Sequence, residues 1–311
     1  MGFNITNITL CSATPRLQSK ESIKNFSQWC KQKLALPSHT KHTIEVLLQK
    51  IGTTNCTNAE QELNNLTYLN LGGNQIRDIK PLAGLTNLTD LNLWGNQIRD
   101  IKSIAGLTNL KKLDLGANQI SDMKPVAKLT NLKILKLGYN QISDIKPLAG
   151  LINLKKLYLW ENPISDIKPL SELTNLTELQ FWNNPISDIK PVAKLTNLKI
   201  LKLGYNQISD IKPLAGLNNL TYLHLWANPI RDIKPLAELT NLKTLNLWGN
   251  QIHDIKPLAE LTNLKTLNLA ANPISDIKPL ARLTNLKKLY LEGNPIKNKT
   301  CPVKPESICN F

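Results

Sequence analysis

The stretch LTNLKTLNLWGNQIHDIKPLAE, residues 239–260, decides the fold, because the 311-residue chain repeats this 22-residue unit eleven times in succession. Every unit opens with a leucine, and these are Leu63, Leu85, Leu107, Leu129, Leu151, Leu173, Leu195, Leu217, Leu239, Leu261 and Leu283. The eleven units together occupy residues 63–304. A period of this length indicates a solenoid of stacked units rather than two or three separate globular domains.

The spacing of leucine and isoleucine within one unit predicts the path of the chain. Leu245 and Leu247 alternate with polar residues, as in a strand with one buried face. Ile252, Ile255 and Leu258 recur every third residue, which suits a 3₁₀-like return with one face inward. The pattern L-x-x-L-x-L-x-x-N is the leucine-rich repeat signature. We therefore predict an α/β solenoid, a curved stack with a parallel concave β-sheet, a convex side of 3₁₀ helices and turns, and an N-terminal helical cap.

Asparagine follows the strand segment of every unit without exception. A side chain that both donates and accepts hydrogen bonds can satisfy backbone groups where buried strands end, so we interpret these residues as a structural ladder rather than as ligand contacts. The ladder comprises Asn74, Asn96, Asn118, Asn140, Asn162, Asn184, Asn206, Asn228, Asn250, Asn272 and Asn294. Ten units also contain an Asp-x-Lys pair such as Asp254 and Lys256, which we interpret as a solvated face because it adds no net charge.

The full unit L-x-x-L-x-x-L-x-L-x-x-N-x-I-x-D-I-x-P-L resembles the internalin-type class of bacterial leucine-rich repeats over about 240 residues. The flanking sequences FSQWC, LLQKIGTTNC and CPVKPESIC are also similar to those of other internalin-like proteins. The resemblance implies a leucine-rich repeat fold and a binding role, without specifying a partner. We find no immunoglobulin-like domain, no LPxTG-type sorting signal and no signal peptide in the sequence, so no residue supports cell-wall attachment or binding to a host receptor.

Residues 1–62 lack the repeat and are expected to cover the leucine face that a solenoid exposes at its first unit. We predict a disordered segment over residues 1–15 and a helical cap over residues 16–62. Residues 299–311 are expected to form the corresponding C-terminal cap, which overlaps the last repeat.

Apolar residues at helical spacing predict the two longer helices of the N-terminal cap. The first helix places on one face Ile23, Phe26, Cys30 and Leu34. The second helix places on one face Ile44, Leu47, Leu48 and Ile51. Pro37 is expected to end the first helix, Ser38 to cap the second and Gly52 to stop it. Thr57-x-x-Glu60 is a capping-box pattern for a third, short helix.

All five cysteines lie in the two ends of the chain, and the C-terminal pair lies in the cap that overlaps the last repeat. We predict a Cys30–Cys56 disulfide, which would tie the first helix to the segment beyond the second. We also predict a Cys301–Cys309 disulfide, which would close a short loop. Cys11 is then left over.

Two further questions about the caps stay open on the sequence alone. A zinc site is an alternative to the first disulfide, formed by Cys30, His39, His42 and Cys56, although its spacing matches no familiar zinc finger. Disulfides and the family resemblance favour an extracellular or periplasmic protein. The first 15 residues lack the basic and apolar segments of a secretory signal, which favours the cytoplasm instead. A wrongly assigned start codon would remove this conflict, and so would a cytosolic protein with free thiols.

Large aromatic residues collect on the face predicted to be concave, where side chains that flank the strand leucines point. Five of the six tryptophans fall in one column directly after the Leu-x-Leu pair, and all six tyrosines fall in concave columns. Because Trp and Tyr dominate interface hot spots, we predict a binding stripe, with packing copied along the repeats as the alternative. The candidate binding residues are Trp94, Trp160, Trp182, Trp226, Trp248, Tyr139, Tyr158, Tyr205, Tyr222, Lys156 and Lys202.

Positive charge is concentrated on the same face of a chain whose formal net charge is +15. Twelve lysines occupy concave columns, against five acidic residues, which are Asp90, Asp114, Glu161, Glu178 and Glu292. The expected partner is another protein. An acidic protein, an anionic glycan or a nucleic acid is the alternative on the same face.

Motifs of the common enzyme classes are missing from the sequence, which contains no GxSxG, GxxxxGK[ST], GxGxxG or HExxH. His224 and His253 lie about one unit apart, without an evident nucleophile between them. We therefore expect a non-catalytic, monomeric binding scaffold with no cofactor, no metal and no membrane span.

Overall fold

The computed structural model describes residues 25–311, so the predicted disordered segment, Ile23 and Cys11 lie outside the described residues. Within this range, helix α1 spans Phe26–Lys31, α2 spans Ser38–Ile51 and α3 spans Cys56–Asn65. Strands β1 to β12 follow, and they span Tyr68–Asn70, Asp90–Asn92, Lys112–Asp114, Ile134–Lys136, Lys156–Tyr158, Glu178–Gln180, Ile200–Lys202, Tyr222–His224, Thr244–Asn246, Thr266–Asn268, Lys288–Tyr290 and Cys309–Asn310.

The twelve strands form one parallel sheet in the order of the sequence. From β1 to β11, residues 22 positions apart pair with each other, as Leu69 pairs with Leu91 and Leu91 with Leu113, so equivalent positions of successive units align in columns. Each unit returns to the next strand through a 3₁₀ helix, such as Lys256–Glu260, which contains a proline that suits its first turn. The structure confirms the predicted solenoid, with the sheet on one side and the 3₁₀ helices on the other.

The core is one continuous stack of leucine and isoleucine layers. Leu245, Leu247, Ile252 and Leu258 of one unit are completely buried, and Phe181 takes the place of a leucine in another unit. Burying a leucine or isoleucine contributes roughly 1.5–3 kcal/mol, and one unit can bury these side chains only against its neighbours. The stack is therefore stable as an array rather than unit by unit.

The asparagine ladder joins each unit to the one before it. The Nδ2 group of Asn96 donates to the carbonyl oxygens of Leu71, at 2.9 Å, and Leu93, at 2.8 Å. Its Oδ1 atom accepts from the backbone N–H of Ile76 at 2.9 Å. The same three bonds recur in every unit through Asn294. Because a leucine or alanine there would leave buried backbone groups unpaired, the amide holds the strand ends in register.

Two further polar ladders run along the return side of the solenoid. The Nδ2 group of Asn87 donates to the carbonyl oxygen of Asn64 at 2.7 Å, and equivalent bonds recur through Asn285. The Oδ1 atom of Asp254 accepts from the backbone N–H of Lys256 at 2.9 Å, and all ten Asp-x-Lys pairs share this bond. The Asp254 and Lys256 side chains are exposed, as expected, but the aspartates also fix the start of each 3₁₀ helix.

The N-terminal cap covers the first unit mainly through α2. Ile44 and Leu47 are fully buried against the leucine stack. The hydroxyl of Thr43 donates to the carbonyl oxygen of Asp78 at 2.6 Å, and the hydroxyl of Thr40 donates to the Asp78 carboxylate at 2.6 Å. These contacts extend the solenoid core into the cap, as the exposed end of a repeat stack requires.

Both predicted disulfides are present. Cys30 bonds to Cys56 and joins α1 to α3, with a Cα–Cα distance of 5.5 Å. Cys301 bonds to Cys309, with a Cα–Cα distance of 5.8 Å, and places β12 beside β11 at the C-terminal edge of the sheet. The zinc alternative is wrong, because the Cys30 and Cys56 sulfurs are bonded to each other, and residues 25–311 contain no cluster of three or more metal-ligating side chains.

The first cap helix is shorter than predicted. Helix α1 ends at Lys31, and the backbone N–H of Gln32 bonds to the carbonyl oxygen of Cys30. Leu34 therefore lies in a separate 3₁₀ turn and is 85% exposed rather than on the buried helix face. Because a residue before proline avoids the helical region, the chain extends at Leu36 ahead of Pro37.

Two of the predicted helix caps are also wrong. Ser38 is the first residue of α2, since the N–H of Thr40 already bonds to the carbonyl oxygen of Pro37. Helix α3 is capped by Asn55, whose Oδ1 atom accepts from the N–H of Thr57 at 2.9 Å. The glutamate of the predicted capping box instead accepts from the backbone N–H of Ser27, in the neighbouring helix. The predicted glycine stop of α2 is present, with φ of 77°.

Candidate functional site

Outward-pointing columns of side chains cover the concave sheet. In β5, Lys156 and Tyr158 are partly exposed on either side of the fully buried Leu157. Trp160 continues the alternation two residues after Tyr158. Neighbouring strands lie about 4.8 Å apart, so aromatic rings at equivalent positions of adjacent units are close enough to contact each other.

The first aromatic cluster consists of Tyr139, Trp160 and Trp182, from three consecutive units. The indoles of Trp160 and Trp182 are stacked, with ring centroids 4.9 Å apart and planes 2° from parallel. Tyr139 meets Trp160 edge-on, at 5.4 Å and 87°. Such pairs contribute roughly 0.5–1.5 kcal/mol beyond area burial. Because Tyr139 is still 55% exposed, the cluster is an ordered but solvent-facing surface.

The second aromatic cluster consists of Tyr205, Trp226 and Trp248, three units further along. Residues 190–217 repeat residues 124–151 without a difference, so the tyrosines of the two clusters are copies. Here the rings are tilted rather than parallel, with centroids 5.8 Å apart for Tyr205 and Trp226 and 6.2 Å apart for Trp226 and Trp248. The second cluster is thus the looser of the two, and Trp248 is 43% exposed.

Glycine in the preceding unit makes room for the first tryptophan of each cluster. A Cβ atom built on Gly138 would overlap the indole of Trp160, and one built on Gly204 would overlap the indole of Trp226. Each indole therefore lies over the backbone of the unit before it. A glycine one unit before the first tryptophan of each cluster is thus a packing arrangement between neighbouring units, which the repeat pattern alone does not predict.

The two cluster tyrosines occupy a left-handed backbone position at the end of their strands. Tyr139 has φ of 59° and Tyr205 has φ of 53°, in a column where Gly73 and Gly249 have φ of 72° and 67°. Bulky residues rarely adopt this region, which glycine tolerates freely. The N–H of Tyr139 bonds to the carbonyl oxygen of Trp160 at 2.9 Å, so the turn fixes the direction in which the phenol projects.

A carboxylate network lies beside the first aromatic cluster. Glu178 accepts from Lys156 Nζ at 3.2 Å and from Gln180 Nε2 at 2.7 Å, and its side chain is only 12% exposed. Burial raises the pKa of the Tyr158 phenol well above its usual value, and the charge of Glu178 and a hydrogen bond to it raise the pKa further. The network therefore holds Tyr158 protonated and the Lys156 side chain in place.

A histidine network occupies the equivalent place near the second cluster. The rings of Tyr222 and His224 lie 4.3 Å apart, and Lys202 Nζ lies 5.4 Å from the centre of the Tyr222 ring. Burial lowers the pKa of His224 to about 4, and the neighbouring charge of Lys202 contributes in the same direction. Burial also raises the pKa of Tyr222. Near neutral pH this part of the face carries the lysine charge and two uncharged rings.

Three of the five acidic residues on the concave face are neutralised by lysines of a neighbouring strand. These ion pairs are Lys112–Asp90 at 3.0 Å, Lys136–Asp114 at 3.1 Å and Lys156–Glu178 at 3.2 Å. Within residues 25–311, the concave lysines without an acidic partner are Lys111, Lys133, Lys155, Lys199, Lys202, Lys243, Lys265, Lys287 and Lys288. The face therefore keeps an excess of positive charge.

A shallow groove of about 500 Å³ runs along the ends of the strands between the two clusters. Tyr205, Glu161 and Asn183 line it, and Glu161 and Asn183 share the left-handed backbone position with the cluster tyrosines. Sequence reasoning did not single out Asn183, because nothing in the repeat pattern marks this loop position as a cavity wall. Trp94 lies three units before Trp160, 51% exposed and outside both clusters.

Comparison with known proteins places this geometry in a family. The family model described as Leucine Rich repeats (2 copies) matches in ten overlapping segments, from residues 64–106 to residues 262–300. The repeat architecture and these matches define a leucine-rich repeat solenoid. Within residues 25–311 there is no helix with both the length and the apolar character needed to span a bilayer. The comparison with curated proteins finds no match.

Solved structures refine the assignment. An internalin, inlF, from Listeria monocytogenes shares 39% identity with a TM-score of 0.80, over 83% of this chain and 76% of that one. Internalin C2 from the same organism shares 38% identity with a TM-score of 0.62, over 65% of this chain and 91% of that one. A leucine-rich repeat protein of Leptospira interrogans shares 26% identity with a TM-score of 0.52, over 78% of this chain and 82% of that one. The chain belongs to the leucine-rich repeat family, in its internalin-like class.

Proposed function

We propose that the protein is a non-catalytic scaffold that binds another protein on its concave face, with the two aromatic clusters as anchors. Leucine-rich repeat solenoids generally present extended concave surfaces to protein partners. The observation that carries the proposal is the parallel stack of Trp160 and Trp182, with centroids 4.9 Å apart on a solvent-facing surface. Aromatic side chains that are ordered before binding lose little conformational entropy, and such residues dominate interface hot spots.

The dimensions of the face suit a protein partner. The first eleven strands of the sheet, which are those of the repeats, lie about 4.8 Å apart and give a surface roughly 50 Å long. This length is enough for a standard interface of about 800 Å² per partner. The two clusters are three strands apart, so their anchors are separated by roughly 14 Å. A folded partner spans this distance easily and can place one apolar side chain on each cluster.

The polar side chains near the clusters would orient the bound partner rather than add much buried interface area. Lys156 is held by Glu178, and Lys202 lies beside the Tyr222 ring. We include Trp94 and Tyr158 in the proposed surface as well, since both project from the same face. An acidic rim on the partner would complement the unpaired lysines of this face.

An anionic glycan or a nucleic acid is the second candidate ligand for the concave face, and the nine unpaired lysines are the observation that favours it. Such a ligand would release counterions on binding, so its affinity would fall steeply with salt. An interface anchored on the tryptophans would be less sensitive, because buried apolar contacts are not screened.

The proposal is tested by capture from cell extracts with three versions of the protein. The versions are the intact chain, the W160A/W182A double variant and the I152T variant as the matched control. Ile152 is 55% exposed away from the concave strands, and most other units have threonine at its position. We expect a protein captured by the intact chain and by I152T but lost with W160A/W182A. Equal capture by all three versions, or capture that disappears only with added salt, would contradict the proposal.

A further inference from the structure

An open groove lies on the return side of the first three units, against the N-terminal cap and away from the concave face. Its volume is about 530 Å³, and a smaller cavity of about 240 Å³ continues it toward α2. Both cavities are lined by His39, Arg77 and Gln97, and Arg99 and Gln119 extend the lining into the third unit.

Two arginines of this groove are held in the same way in consecutive units. The Nε group of Arg77 donates to Oε1 of Gln97 at 2.7 Å, and the Nε group of Arg99 donates to Oε1 of Gln119 at 2.7 Å. Both glutamines are half-buried, while both arginines are exposed. Each bond uses one N–H of the guanidinium and fixes its plane, which leaves the Nη groups available to a ligand.

The acidic residues of the groove are occupied by other partners. Asp78 accepts from the N–H of Lys80 at 3.0 Å and from the hydroxyl of Thr40 at 2.6 Å. Asp100 accepts from the N–H of Lys102 at 2.8 Å, and its other oxygen lies 3.9 Å from Lys102 Nζ. In the described part of the chain neither arginine forms an ion pair with a carboxylate. Four cationic side chains therefore line the groove against two carboxylates.

The other units show that the solenoid does not require arginine at this position. The equivalent residue is serine in six units, which are Ser121, Ser143, Ser165, Ser187, Ser209 and Ser275. Arg231 is the one further arginine in this column, and its Nε group donates to Gln251 at 2.8 Å in the same manner. Its neighbours in the column are Ser209 and His253, so Arg231 has no second arginine beside it.

We propose that this groove binds a tetrahedral oxyanion, a sulfate or phosphate ester, between the guanidinium groups of Arg77 and Arg99. A guanidinium donates two parallel hydrogen bonds to such a group, and a tetrahedral anion has enough oxygens for two guanidinium groups at once. A carboxylate presents its two oxygens in one plane, whereas a tetrahedral group presents oxygens in several directions and so suits two guanidinium groups from neighbouring units. Lys80 and Lys102 add positive charge at the rim. The site is independent of the proposed concave function, because no residue is shared between them.

The site is tested by NMR of the arginine Nε–H groups in the intact protein, since the sequence contains only five arginines. The probes are glucose 6-sulfate and glucose 6-phosphate, with glucose as the uncharged control. We expect the Arg77 and Arg99 signals to shift together and saturate with at least one ester, and the Arg231 signal to shift little. Saturation with only one ester would show whether the site prefers a sulfate or a phosphate ester. Saturation with both would support recognition of the tetrahedral oxyanion that the two esters share.

Matched variants complete the test. R77S/R99S introduces the residue that six other units already have, so we expect an unchanged unfolding midpoint and affinity at least about tenfold weaker. R231S should leave the affinity within about twofold of the intact protein, because that arginine stands alone. R77K/R99K keeps the charge without the planar guanidinium and should recover only part of the loss. Equal shifts at Arg231 and Arg77, full affinity in R77S/R99S, or no shift with either ester would overturn the proposal.

Discussion

The indole of Trp160 lies directly over Gly138 of the preceding unit, in the space that a Cβ atom at position 138 would occupy. This contact sets the direction in which the first aromatic cluster leans. Trp182 stacks on the outer face of the same indole, at 4.9 Å. The glycine is therefore part of the cluster even though it has no side chain.

Replacing this glycine should disrupt the cluster. In G138A the added methyl group displaces Trp160, and we expect a loss of about 1–3 kcal/mol in the free energy of unfolding, as for other overpacked sites. G150A is the matched control, because nothing lies within 4 Å of a Cβ at that position. We expect G150A to change stability by at most about 0.5 kcal/mol in urea unfolding. Equal stability of the two variants would mean that Trp160 does not depend on Gly138.

The asparagine ladder should be most important in the middle of the stack. Asn184 donates to the carbonyl oxygens of Leu159 and Phe181 and accepts from the N–H of Ile164. N184L leaves these buried groups unpaired and should cost about 1–3 kcal/mol. Among the described residues, the side-chain amide of Asn74, in the first unit, has one hydrogen bond, which it donates to the carbonyl oxygen of Gly72. N74L should therefore cost less, and a larger loss for N74L than for N184L in urea unfolding would contradict the ladder.

The cap disulfides should stabilise the chain by restricting its unfolded state. The Cys30–Cys56 bond closes a segment with a sequence separation of 26, for which chain entropy predicts about 3.5 kcal/mol. We expect C30S/C56S to unfold at lower urea concentration than the intact protein. Peptide mapping without reductant should recover Cys30 linked to Cys56 and Cys301 linked to Cys309. Free thiols at all four positions would contradict both bonds.

The lowered pKa of His224 makes stability depend on pH in a defined window. The folded protein keeps His224 neutral down to about pH 4, whereas the unfolded chain takes up the proton near pH 6.5. The unfolded state thus binds more protons as pH falls from about 6.5 to about 4, so stability decreases over that range. NMR titration should give a His224 pKa near 4, and a higher pKa in K202Q, which removes the neighbouring charge. The H224N variant should lack the His224 contribution to the pH dependence of stability. A His224 pKa near 6.5 in the intact protein would contradict this account.

Much of the fold could be predicted because the repeat fixes it through a few residue types. The leucine columns specify the strands, and the asparagine after each strand specifies where the strand ends. The cysteines lie only in the two ends of the chain, and the predicted bonds of Cys30 with Cys56 and of Cys301 with Cys309 are both present. The leucines and the asparagines could be interpreted because each of these residue types has one physical role in every unit.

Features that depend on contacts between different units were harder to predict. The sequence placed Trp160 and Trp182 on one column but did not show that Trp160 leans over Gly138. The bond from Arg77 to Gln97 joins residues 20 positions apart, and neither belongs to the repeat signature. The start of α3 in the N-terminal cap differs from the prediction for a local reason. Asn55, rather than a capping box, accepts the hydrogen bonds of the first N–H groups of α3.

The central claim is that the aromatic clusters bind a partner rather than only shield the strands. Trp182 and Trp248 are the outer tryptophans of the two clusters, and neither belongs to the leucine core. If they contact the partner, replacing them with alanine should weaken binding by about 2 kcal/mol or more and leave folding nearly intact.

The decisive measurement is therefore the dissociation constant of the captured partner together with the free energy of unfolding, on the same W182A and W248A preparations. We expect the affinity to fall at least about thirtyfold, which corresponds to about 2 kcal/mol. We expect the stability to change by at most about 1 kcal/mol, with I152T unchanged in both quantities. Lost stability with unchanged affinity would contradict the account, because the tryptophans would then serve only to pack the sheet.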